Sequence, residues 1–174
     1  LNGSCLHILN GHTKGVYSVS LSRDGKRIIS GSGDNTIRIW GLDKGNCIYI
    51  LKGHLKSVFS VTINKTGNLV VSGSDDNTIK IWDLNTRTCI QTLEGHTDSV
   101  MSVTMTQDDK YIISGSADKT IKIWDIHTGN CIHTLKGHTN GVESVAFSPN
   151  DNWIISGSWD CTIRVWDFFN GICL

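Results

Sequence analysis

His96, Ser114 and Asp118 are the three side-chain types that a hydrolase combines: a hydroxyl nucleophile, an imidazole base and a carboxylate to orient it. The same trio stands at His12, Ser30 and Asp34, at His54, Ser72 and Asp76, and at His138, Ser156 and Asp160. A catalytic centre is assembled once. Four copies at one unchanging interval point to a part of the scaffold.

The cysteines read the same way. Cys5, Cys47, Cys89, Cys131 and Cys173 keep that interval, and Cys161 stands alone. Equivalent positions in separate units lie beyond the roughly 7 Å over which Cα atoms can be bridged, so disulfides are not expected. Cys-x-x-Cys spacing is absent, so no zinc site is expected, and free thiols suit a reducing, cytoplasmic compartment. No phosphate-cradling loop, His-Glu-x-x-His run or dinucleotide fingerprint occurs. The expectation is a protein that is not an enzyme, with no cofactor and no metal.

The elements that carry these residues follow from the repeat. Gly11-His12, Gly53-His54, Gly95-His96 and Gly137-His138 mark its start, and Trp40, Trp82, Trp124 and Trp166 recur with them. So do Ser-Gly-Ser runs beginning at Ser30, Ser72, Ser114 and Ser156. Within a unit, Val16 to Leu21, Arg27 to Ser32, Thr36 to Trp40 and Cys47 to Leu51 read as short strands. Asp24-Gly25, Asp34-Asn35 and Lys44-Gly45 separate them as turns, which leaves no room for a helix. The 18 glycines, against the single Pro149, fit a protein built from many tight turns between regular segments. Apolar residues fall on both faces of these strands, so each small sheet must be covered on two sides.

Composition narrows the partners. Sixteen Lys and Arg balance sixteen Asp and Glu over 174 residues, which removes the electrostatic reason to expect nucleic acid or an anionic membrane. No apolar run approaches the roughly 18 residues of a membrane span, and Leu1 to Asn10 do not read as a secretory leader. A single domain over 1–174 is expected.

A period of about 42 residues, with Gly-His, Ser-Gly-Ser, Asp, Thr-Ile and Trp-Asp in fixed order, resembles the WD-repeat β-propeller family, and the resemblance covers the whole chain. It implies an all-β fold of four four-stranded blades. It also implies that loop His, strand Ser, turn Asp and strand Trp form a hydrogen-bond chain, here His12–Ser30–Asp34–Trp40, His54–Ser72–Asp76–Trp82, His96–Ser114–Asp118–Trp124 and His138–Ser156–Asp160–Trp166. Gly41 departs from the pattern, standing where Asp83, Asp125 and Asp167 follow the other tryptophans.

Cys5 to Leu9 match the fourth strand of a unit, and the chain finishes inside that strand at Cys173-Leu174. Propellers carry about 4 to 8 blades, and four of this kind would close only at steep angles. Two copies related by a two-fold axis would give eight, with each N-terminal strand pairing beside Trp166 of the other chain. The alternative is a piece of a longer propeller. Function is expected in columns that the scaffold leaves free: Tyr17, Phe59, Met101 and Glu143 after the first-strand Val, and Gly33, Asp75, Ala117 and Trp159 before the turn Asp. The resemblance places these beside a protein- or peptide-binding loop face, with Tyr17, Phe59, Met101 and Trp159 as apolar anchors and Glu143 and Asp75 at the rim. A purely architectural module that binds only itself is the competing reading.

Overall fold

A computed structural model describes residues 3–148 and 152–174; Pro149 lies outside the described residues. These form fifteen strands and, among the described residues, no helix. The first blade contains β1 (Val16–Leu21), β2 (Arg27–Ser32), β3 (Thr36–Gly41) and β4 (Asn46–Lys52). The second contains β5 (Val58–Ile63), β6 (Leu69–Ser74), β7 (Ile79–Asp83) and β8 (Thr88–Leu93), and the third β9 (Val100–Met105), β10 (Tyr111–Ser116), β11 (Thr120–Asp125) and β12 (Cys131–Lys136). The fourth has β13 (Val142–Phe147), β14 (Trp153–Ser158) and β15 (Ile163–Asp167). Each sheet is an antiparallel meander in chain order. The tight β2–β3 turn sets Asn35 in the left-handed region at φ 68°, a conformation Asn tolerates, and the turn is closed by the Thr36 N–H donating to Asp34 Oδ1. Cys161 occupies the same turn position at φ 68°.

The core lies between blades. Ile29, Ile37, Ile39 and Leu51 of the first blade pack with Val58, Val61, Val70, Trp82 and Leu84 of the second, and two further clusters repeat this at the next seams. Gly31, Gly73 and Gly115, inside β2, β6 and β10, lie at these seams. A Cβ on Gly31 would stand 2.8 Å from Val58 Cγ1 and 3.0 Å from Val61 Cγ1, and Gly73 and Gly115 meet the next valine pair at similar distances. Only a residue without a side chain lets the neighbouring blade approach so closely. The seams are tied further by the amides of Val61, Val103 and Val145, which donate to Ser18 Oγ, Ser60 Oγ and Ser102 Oγ at 3.0–3.1 Å.

The two outermost faces have no such cover. Val19 is 68% exposed, whereas its counterparts Val61, Val103 and Val145 are 5–7% exposed. Ile163 is 76% exposed, whereas Ile37, Ile79 and Ile121 are fully buried. The expected N-terminal strand is also corrected, since residues 3–10 form no strand. His7 and Leu9 lie beside Gly45 of the first blade, and Cys173 takes the bridge opposite Trp166. An isolated segment gains no ladder hydrogen bonds until a free edge is within reach.

Candidate functional site

The four His–Ser–Asp–Trp sets are built alike. Trp40 Nε1 donates to Ser30 Oγ at 2.8 Å, and Ser30 Oγ lies 2.7 Å from His12 Nε2. His12 Nδ1 lies 2.8 Å from Asp34 Oδ2. An indole N–H can only donate, so the serine accepts it and turns its own proton toward His12 Nε2, which leaves the imidazole Nδ1–H facing the carboxylate. In the other three sets every corresponding distance is 2.7 or 2.8 Å. Each imidazole also meets its tryptophan edge-to-face at 5.9 Å between centroids.

Burial opposes the charge of Asp34, Asp76 and Asp118. Hydrogen bonds outweigh it: each carboxylate accepts from its histidine, from the Thr two residues on, and from the amide that follows the histidine. All three carboxyls are held well below the usual aspartate range. Asp160 is lowered in the same direction, chiefly by the Thr162 hydroxyl. The distances suit acyl transfer, but the placement does not. Ser72, Ser114 and Ser156 are fully buried, and each hydroxyl is committed to an indole and an imidazole, so no substrate carbonyl can reach it. The sets fasten the Gly-His loop to the second and third strands of each blade.

The loop-face residues have a geometry that the sequence did not disclose. In the first strand of every blade the register slips by one residue, and the extra residues are Tyr17, Phe59, Met101 and Glu143. A bulge re-aims a side chain out of the pleat. Tyr17 and Phe59 meet edge-to-face at 5.3 Å, Tyr17 remains 57% exposed, Phe59 and Met101 are half-buried, and Glu143 is exposed. Trp159 is 53% exposed and rests on Gly141. Asp75 is partly committed to the scaffold: it accepts from Ser99 Oγ at 2.5 Å across a seam and pairs with Lys56 at 3.8 Å. Tyr17 and Phe59 are thus brought together, while Trp159 stands on the fourth blade. The Ser–Val seam bonds escaped the sequence reading, although a Ser two residues after each first-strand Val was the available signal.

Four consecutive meanders packed face to face, each locked by the same polar set, define a run of propeller blades. The WD domain, G-beta repeat model matches residues 3–41, 45–83, 87–125 and 129–167, and the chain belongs to that family. Members of the family generally serve as protein-interaction scaffolds. Individual curated proteins match over about one repeat. "Regulator of rDNA transcription protein 13" of Saccharomyces cerevisiae is 54% identical over 39 residues, 22% of this chain and 21% of its own length. "Cell division control protein 4" of the same yeast is 54% identical over 39 residues, 22% of this chain and 5% of its own. "Notchless protein homolog" of Arabidopsis thaliana is 50% identical over 38 residues, 22% and 8% of the respective chains. The matched segments thus span about a fifth or less of these relatives.

Proposed function

We propose that the chain is a non-catalytic scaffold that binds a protein or peptide on its loop face. The observation that carries this reading is the row of bulge residues. A bulge spends a ladder position to turn Tyr17, Phe59, Met101 and Glu143 out of the sheet, and two of the four form an aromatic pair in which Tyr17 is exposed and Phe59 half-buried. Trp159 extends the apolar surface, and Glu143 and Asp75 favour a partner that brings a basic residue beside its apolar anchor. Six free cysteines favour the cytoplasm, and balanced charge favours neither nucleic acid nor membrane.

A peptide selected from a displayed library against the full chain provides the test. Phe59→Ala with Met101→Ala should abolish its binding with circular dichroism unchanged, because both residues lie away from the open end faces. Undiminished binding contradicts the reading.

The open faces favour a second, architectural reading, in which two copies join as an eight-bladed homodimer. Here the N-terminal segment of each copy leaves its own blade and pairs beside Ile163, where Leu9 takes the place that Leu51, Leu93 and Leu135 fill opposite Ile37, Ile79 and Ile121. The two readings are compatible at Phe59 and Met101, which stand on the second and third blades, whereas Trp159, on the fourth, belongs to the open end face as well.

A further inference from the structure

We propose that the two open faces are the halves of one socket, filled when Val16 and Val19 of a second copy seat over Gly157. The inference deepens the self-assembly reading above and rests on it.

Three internal seams define what a complete one contains. At each, a mid-strand glycine of one blade receives two valines of the next: Gly31 takes Val58 and Val61, Gly73 takes Val100 and Val103, and Gly115 takes Val142 and Val145. Gly157 is the fourth member of this column, and a Cβ built there meets nothing within 4 Å. The unmatched valine pair is at the other end of the chain, where Val16 and Val19 are 50% and 68% exposed. Both parts of a contact that the chain makes three times are present, and neither is used.

Two further features fall into register with it. The bonds Ser18–Val61, Ser60–Val103 and Ser102–Val145 leave Ser144, which is exposed, as the next acceptor and the Val19 amide as the next donor. On the loop side, Ser99 of the third blade bonds Asp75 of the second, and Gly141 of the fourth packs on Ala117 of the third. The same step sets Gly15 of a second copy against Trp159. A glycine there leaves room for the indole that the fourth blade alone carries. An apolar strand face of this size left in water is a liability, and only another blade of this repeat presents the matching valines, serine bond and glycine together. Two copies give two identical seams and a closed ring of eight blades, within the range that propellers adopt.

Analytical ultracentrifugation of the full chain tests this, with Gly157→Val and Val19→Asp as variants. Neither residue is packed in the single chain, so both variants should keep the wild-type circular dichroism, whereas Gly115→Val, inside a seam already filled, should unfold more readily. The wild type should sediment at twice the mass of one chain and both variants at the mass of one. A wild type that stays at the single-chain mass at every concentration overturns the homodimer itself. A dimer that survives both substitutions overturns this socket and leaves the homodimer standing on some other surface.

Discussion

Val58 Cγ1 lies 2.8 Å from where a Cβ on Gly31 would be, so one blade's strand enters the space that the other blade's missing side chain leaves. Neither face of a blade is dry until a neighbour supplies this contact, and the repeated unit is therefore a wedge whose stability resides in its seams.

That relationship makes the seam glycines unequal to the open one. Gly73→Val drives a branched side chain into Val100 and Val103, and overpacking of this kind should cost about 1–3 kcal/mol in chemical denaturation. A stability equal to the wild type's would show that the seams relax freely.

Ser114→Ala tests the polar sets. It strands Trp124 Nε1 and His96 Nε2 in a buried site, each at about 1–3 kcal/mol. The loss should appear in denaturant titrations as a lower midpoint with the slope retained, and an unchanged midpoint would mean that solvent reaches these groups.

Acid should expose the aspartates. Asp34, Asp76, Asp118 and Asp160 are held below their ordinary values in the folded chain, so between those values and the unfolded pKa of about 3.9 the unfolded state binds more protons. Their stabilisation is complete above about pH 5 and is lost as the pH falls through about 3.9 and below. Thermal melts from pH 7 to pH 2 should show this decline, and Asp118→Asn should make it shallower. A decline of equal steepness in that variant would place the titrating groups elsewhere.

Much of this fold was legible in the sequence because every strand pairs with the segment next to it in the chain. The expected Val16 to Leu21 and Arg27 to Ser32 coincide with β1 and β2, and β3 and β4 extend the expected strands by one residue or so. The polar sets were expected through the resemblance to WD repeats, which implies a hydrogen-bond chain for the His, Ser, Asp and Trp that recur in each unit. The bulges were not. Tyr17 follows Val16 as any alternating residue would, and only pairing with Ser32 and Gly31 reveals that it is the extra one. Nor was the state of residues 5–9: their composition matches β4, but a strand is a property of two segments, and His7 and Leu9 lie beside Gly45 of the first blade, in no strand. The role of Gly31 was hidden for a similar reason, because its partners Val58 and Val61 belong to the next repeat and meet it only once two blades are stacked.

Hydrogen exchange of the full chain tests the interdependence of the blades most directly. The amides of β6 and β10 should open together in one cooperative step, and Gly73→Val, at the seam between them, should deprotect both. If β6 exchanges in that variant while β10 keeps its full protection, each blade is stable alone and the account of the seams is wrong.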